Sequence, residues 1–248
     1  MLNDSIVLYE VNNSVATITL NRPQVKNALN TEMHHALFDA LEKAKNDKSV
    51  SVIVLQGTDG AFCAGADLKS LDIDEIGSFD YGNYLRETYN PLILQLASIE
   101  KPTVSYLNGI AVGAGLSIAL ACDYRVASED AKLGLGFLKI GLAPDAGASY
   151  FLPRLVGLGK AMELALGEVI SAKEALQIHL ITKIGQPDDF IEQLKHVPKK
   201  AFGLTKRNLC QGFEHSLAEV LEMEVSAQRK AGQTPEHKAA IERFVKKK

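Results

Sequence analysis

Between Lys139 and Arg154 the chain carries one charged residue, Asp145, in the run IGLAPDAGASYFLP. A lone carboxylate among small and apolar residues has the right chemistry to move a proton. An apolar pocket would raise its pKa and a helix N-terminus would lower it, so the sequence leaves the sign open. Earlier in the chain, Ala111 to Ala114 (AVGA) lacks bulk, so a ligand can approach the backbone closely there. Residues 115–123 (GLSIALACD) then read as a buried helix. A helix that starts at such a turn points free N–H groups at whatever lies in front of it, which is the geometry of an anion or oxyanion site. The expectation is that Asp145 faces the molecule held at that turn. A local use competes with it, because an aspartate after proline and before Ala-Gly-Ala is also a good helix N-cap.

The elements that must position these groups follow from periodicity and caps. Residues 5–10 and 15–20 alternate apolar and polar side chains around Asn12-Asn13, a hairpin pattern. Asn30 can cap a helix with Met33, Leu37, Ala40 and Leu41 on one face, and His34-His35 reads as its surface. Residues 50–55 are apolar throughout, as in a strand buried on both sides. Residues 70–85 read as irregular and 87–99 as a helix. Residues 102–107, 123–127, 132–135 and 180–184 read as short strands, and 147–155, 159–166 and 172–177 as helices, the last with Ser171 and Glu174 as a capping box. Helix dominates from about residue 187 (188–196 and 204–245). This predicts an α/β core over 1–187 and a helical part over 188–248.

Composition narrows the function classes. A chain of 248 residues, 46% apolar and 23% charged, suits a soluble globular protein with a sizeable core. A net charge of −3 gives no basic excess for nucleic acid. Cys63, Cys122 and Cys210 form no CxxC pair, which predicts neither a disulfide framework nor a zinc site and suits a reducing cytoplasm. No apolar run reaches membrane-spanning length. Gly113-Ala-Gly115 is not a dinucleotide fingerprint, and no metal, flavin or nicotinamide motif is expected.

Four stretches carry a resemblance: AFCAGADLKSL, NGIAVGAGLSIALACDYRVA, LKIGLAPDAGASYFLPRLVG and KAMELALGEVISAKEAL. Together they resemble the crotonase, or enoyl-CoA hydratase/isomerase, superfamily from about Ser5 to the C-terminus. The resemblance implies a ClpP-like spiral of ββα units, a helical C-terminal trimerisation region (homotrimer or dimer-of-trimers hexamer) and an acyl-CoA substrate, with coenzyme A entering only as part of that substrate. It implies an oxyanion hole made by the amides of Ala66 and Ala114. It places coenzyme A against Ala64, Asp67 and Leu68, with Arg22, Lys26, Phe244 and Lys247 near its phosphates or tail. The acyl-pocket candidates are Tyr81, Tyr84, Leu85, Phe137 and Tyr150. Hydratases of the family carry two glutamates at positions that are Ser117 and Phe137 here. Asp145 matches an aspartate used for proton transfer in several of its isomerases, among them dienoyl-CoA isomerases and the isomerase of ring-epoxidised phenylacetyl-CoA, whose motif PDAGASYFLPRLVG resembles. The resemblance thus points to an isomerase working through one aspartate. A hydratase of altered activity and a non-catalytic CoA-binding protein are the alternatives. A dehalogenase of the family would need a helper histidine, and none stands near in sequence. His179 occupies a position where the family usually has glycine, which implies a strained left-handed residue.

Overall fold

The computed structural model describes residues 5–68 and 77–246. Strands β1 (Val7–Asn12) and β2 (Val15–Leu20) form the expected hairpin. Its two turn residues, Asn13 and Ser14, both have positive φ, as a tight two-residue turn requires. Helix α1 (Thr31–Asn46) begins where the Asn30 side chain accepts from the Met33 N–H at 3.0 Å. A strand–strand–helix unit then repeats three times. Strands β3 (Val52–Gly57) and β4 (Ala61–Cys63) lead to α2 (Tyr81–Glu87) and α3 (Tyr89–Ser98). Strands β5 (Thr103–Leu107) and β6 (Ile110–Val112) lead to α4 (Ala114–Leu120). Strands β7 (Tyr124–Ala127) and β8 (Lys132–Gly134) lead through a 3-10 turn at Phe137–Ile140 to α5 (Ala148–Val156) and α6 (Leu158–Ala165). Strand β9 (Ile170–Ser171), helix α7 (Ala172–Gln177) and strand β10 (Lys183–Ile184) follow, and then the helices α8 (Asp188–Lys195), α9 (Lys199–Gln211), α10 (Leu217–Gly232) and α11 (Pro235–Lys246).

The first strand of each unit joins a six-stranded sheet ordered β1-β2-β3-β5-β7-β10, parallel except for β1. The second joins a four-stranded sheet ordered β4-β6-β8-β9, parallel except for β9. The chain therefore winds as a spiral of ββα units. Val52 to Leu55 of β3 are buried on both faces, as an uninterrupted apolar strand must be. Every residue of α4 is buried too, so this helix is a rod inside the core with one end left to face a ligand. Just past its other end the buried Arg125 donates to Cys122 O and to Leu180 O, both at 2.7 Å, and so ties the end of the helix to the segment before β10.

Several expectations need correction. The three-residue strands β4 and β6 were not expected. The helix expected over 87–99 is present as α3, whereas the described end of the stretch expected to be irregular is helical as α2. The C-terminal helix expected over 204–245 begins at Lys199 and is interrupted twice. His34 is not on the surface of α1: it is 1% exposed, whereas His35 is exposed. His179 does adopt φ of +59°, the left-handed conformation expected there. Helix α9 is tied to the core by Lys206 against Asp123 at 2.9 Å, while α10 and α11 contain no buried residue. Among the described residues no helix is long and apolar enough to cross a membrane.

Candidate active site

A cavity of about 580 Å³ opens in front of α4, a size suited to a small-molecule site. Its walls come from five segments: the entry to α1 (Leu29 to Thr31), the loop after β4 (Ala64 to Leu68), helices α2 and α3 with Phe79 before them, the turn at Val112 to Ala114, and residues from Gly136 to Asp145.

The floor is made by backbone. Gly65 and Gly113 have φ of +91° and +54°, conformations that L side chains rarely adopt. A Cβ on Gly65 would lie 3.0 Å from the Val112 carbonyl oxygen and 3.6 Å from the Ala114 nitrogen. Only a bare backbone lets these two loops come so close, and the approach places the residues that follow, Ala66 and Ala114, on one wall of the cavity. Gly115 works in the same way one residue further on, since a Cβ there would meet the Cys63 carbonyl at 2.6 Å. Leu29 N–H donates to Gly65 O and Asp67 N–H to Leu29 O, which pins the 64–67 loop on both sides of Ala66. Among the described residues neither the Ala66 nor the Ala114 amide donates a hydrogen bond. Both residues line the cavity, and Ala114 opens the buried helix α4 at the positive end of its dipole.

Asp145 lines the same cavity. It does not cap a helix: α5 starts at Ala148, its N-cap is Gly147, and no side chain bonds to that end. Ala146 and Gly147 both have positive φ, +49° and +80°, so the chain turns sharply after the aspartate. A left-handed alanine is mildly strained. Asp145 Oδ1 is buried and has no hydrogen-bond partner among the described residues. Burial pushes the carboxyl up to about 6, which settles the sign the sequence left open.

The remaining expected residues divide. Ala64, Asp67, Leu68, Tyr81, Tyr84, Leu85 and Phe137 all line the cavity. Asp67 is held by Arg22, whose Nη2 lies 2.9 Å from it and whose Nη1 donates to Ala28 O at 2.6 Å. Those contacts commit much of the Arg22 guanidinium to holding the loop, and neither Arg22 nor the exposed Lys26 lines the cavity. Tyr150 does not line it either; its ring packs under the Arg154 guanidinium at 3.6 Å. Phe244 is exposed on α11, away from the cavity lining, and Lys247 lies outside the described residues. Ser117 is fully buried and donates to Gly113 O at 3.2 Å, one turn back on its own helix.

Sequence reasoning missed Tyr89 and His34. Tyr89 lines the cavity while 2% exposed, with no partner for its hydroxyl among the described residues. His34 packs edge-on against Tyr89 at 4.1 Å and lies 6.2 Å from the Tyr84 ring. A histidine therefore does stand behind the cavity wall, although it does not line the cavity. Burial, and then the neighbouring His35, lower its pKa to about 4, so it is neutral at physiological pH. Its spacing to Leu37 and Leu41, three and seven residues on, was the signal that it shares their buried stripe.

The family model described as enoyl-CoA hydratase/isomerase matches residues 10–248. The chain belongs to this family. It is 35% identical to a 1,2-epoxyphenylacetyl-CoA isomerase of Escherichia coli, over 98% of this chain and 96% of that protein. It is also 35% identical to a probable enoyl-CoA hydratase of Rhodobacter capsulatus, over 98% and 95%. A crystal structure of a putative enoyl-CoA hydratase/isomerase from Mycobacterium abscessus superposes with a TM-score of 0.90 at 37% identity, over 97% of this chain and 96% of that one. The crotonase fold and an activity of the hydratase/isomerase class follow. Relatives of equal identity carry isomerase and hydratase names, so the reaction within the class has to be argued from the site.

Proposed function

We propose that this family member is an acyl-CoA isomerase working through Asp145. The observation that carries the reading is the cavity's inventory of carboxylates. Among the described residues only Asp67 and Asp145 line it, and Asp67 is tied to Arg22. Adding water across a double bond calls for one group to activate water and another to protonate carbon. The two positions where the family's hydratases carry glutamate hold a serine turned onto its own helix and a phenylalanine. Moving a double bond needs only one carboxylate, used twice.

For a 3-enoyl thioester, the Asp145 carboxylate takes a proton from the carbon next to the carbonyl. The C–H electron pair moves into the conjugated system, and charge develops on the thioester oxygen. The Ala66 and Ala114 N–H groups stabilise that oxygen; one such donor typically contributes about 3 kcal/mol in a dry site. Asp145 then returns the proton to the carbon two positions further along, which gives the 2-enoyl thioester. A carboxyl near pH 6 is suited to both halves of the transfer. No redox step occurs, and coenzyme A enters only as part of the substrate. Ala64, Asp67 and Leu68 at the cavity mouth are the proposed coenzyme A contacts, with Lys26 and what the ion pair leaves of Arg22 near its phosphates.

The exposed apolar residues of α10 and α11, among them Leu217, Leu221 and Phe244, are proposed to be covered by further copies of this chain in a trimer or hexamer. Such an assembly would bring Phe244 and Lys247 to a neighbouring site. Light scattering then gives a mass of three or six chains, and a monomer would reject the assembly.

The test of the reaction is to offer crotonyl-CoA and a 3-enoyl-CoA in turn. Isomerisation of the second without hydration of the first supports the proposal. Fast hydration of crotonyl-CoA that survives Asp145→Ala rejects it, and binding of both esters without turnover supports a non-catalytic role instead.

A further inference from the structure

The loop that carries Ala66 is laid along residues 22–29. Leu29 and Ala66 form an isolated parallel bridge, in which Leu29 N–H donates to Gly65 O at 2.8 Å and Asp67 N–H to Leu29 O at 2.9 Å. That rung uses the backbone groups on either side of Ala66 and leaves the alanine's own N–H out of it. The Arg22 guanidinium closes over the same rung. Its Nη1 donates at 2.6 Å to the carbonyl of Ala28, the residue before Leu29, and its Nη2 donates at 2.9 Å to the carboxylate of Asp67, the residue after Ala66. One planar group therefore spans both sides of the bridge, with its two prongs fixed relative to each other. The side chains of Arg22 and Asp67 are only 14% and 7% exposed, so the pair is largely out of water. Such a pair is weak evidence for stability, but it can select one arrangement among several.

Arg22 is itself held in place. The fully buried Asn27 side chain accepts from the Arg22 backbone N–H at 2.8 Å and donates to Ala61 O at 2.8 Å, at the start of β4. Lys26 and Asn27 both have positive φ, +52° and +58°, and the Lys26 carbonyl accepts from Ala64 N–H at 3.0 Å. The chain from β4 to Ala66 is thus tied to the 22–29 turn at Ala61, Ala64, Gly65 and Asp67. We infer that Arg22 is a positioning residue for the Ala66 amide, its fork setting the spacing of the 28–29 and 66–67 backbones and so the direction of the N–H between them. The inference rests on the reading of that amide as a donor to the thioester oxygen. It goes beyond that reading because Arg22 does not line the cavity and acts through the loop. A lysine offers one flexible point charge in place of the fork, so it keeps the charge opposite Asp67 without reproducing both contacts in one plane.

The experiment binds an acyl-CoA labelled with carbon-13 at the thioester carbonyl and reads its infrared stretching frequency on the protein at saturating ester. Donors on the oxygen lower that frequency relative to the free ester. The wild type is expected to show the lowering, and Arg22→Lys to lose much of it. Isomerisation of a 3-enoyl-CoA is expected to slow in kcat by about tenfold in Arg22→Lys and about a hundredfold in Arg22→Met, the scale of loss that a misplacement of about 1 Å causes. The 3-enoyl ester of pantetheine, which carries no phosphate, should lose turnover by the same factors. Asp67→Asn keeps the shape and an acceptor oxygen for Arg22, so it is expected to fall between the wild type and Arg22→Lys, and it serves where an Arg22 variant fails to fold. A wild-type shift that Arg22→Lys and Asp67→Asn leave in place overturns the inference. So does a loss confined to KM or to the CoA ester, which makes Arg22 a phosphate ligand. No shift in the wild type removes the Ala66 donor itself and the inference with it, so the two failures are told apart.

Discussion

Two parts of the cavity lining are built from different materials. The part behind Ala66 and Ala114 is backbone: two loops brought together by Gly65 and Gly113, set on a buried helix and pinned by hydrogen bonds to Leu29. The part at Asp145 is one side chain on a turn between the Phe137–Ile140 segment and α5, its inner oxygen unpartnered among the described residues. In the proposed function the first part holds the thioester oxygen whatever the rest of the acyl chain undergoes. On the same proposal the second decides which reaction follows. Chemistry can therefore change within such a fold through a few side chains while the donor pair stays intact, which fits relatives of equal identity that carry different activity names.

That contrast can be broken from either side. Asp145→Asn keeps size and polarity but removes the base, so kcat for isomerisation falls about a thousandfold while acyl-CoA binding, followed by calorimetry, stays within a fewfold. Gly65→Ala strikes the other part. Its Cβ meets the Val112 carbonyl from a backbone that disfavours a side chain, so Ala66 is displaced; kcat falls about a hundredfold for any acyl-CoA, because the shared donor is lost. Equal losses on all substrates for Gly65→Ala, against loss of proton transfer alone for Asp145→Asn, would sharpen the division; the reverse pattern would dissolve it.

Stability effects are smaller and their signs follow from the pKa shifts. His34 is held at about 4 when folded against about 6.5 unfolded. Between those values the unfolded chain binds more protons, so the wild type loses stability as pH falls from 6.5 to 4, and His34→Phe should flatten that loss by about 2 kcal/mol in denaturant titrations. Asp145 shifts the other way, up to about 6. Between 3.8 and 6 the folded chain binds more protons, so its contribution turns unfavourable as pH rises. Asp145→Asn should be more stable than wild type at pH 7 by about 1 kcal/mol, discounted because the group borders an open cavity, and no more stable at pH 4. Least of all, Ser117→Ala should change kcat less than about twofold, since its hydroxyl serves only a carbonyl of its own helix. A larger drop would mean that position still takes part in the reaction.

How much of this was legible depended on whether a signal was local. The hairpin (its turn one residue later than the expected Asn12-Asn13), the Asn30 cap, the Ser171–Glu174 capping box and the buried run in β3 are written in adjacent residues, and all are present. Strands β4 and β6 are three residues long, too short for alternation to register, and a second sheet makes them strands. The amides of Ala66 and Ala114 are proposed through the resemblance; small residues alone suit tight packing as well. The direction of the Asp145 shift needed the structure, because burial and a helix end pull oppositely and only the fold shows that the carboxylate is buried without capping α5.

The most direct test of the central claim is to incubate a 3-enoyl-CoA with the wild type and with Asp145→Asn in deuterated water and read the masses of product and recovered substrate. The account predicts deuterium at the carbon beside the thioester with the wild type and almost none with Asp145→Asn, at equal ester binding. Exchange at the wild-type rate in Asp145→Asn would show that another group carries the proton.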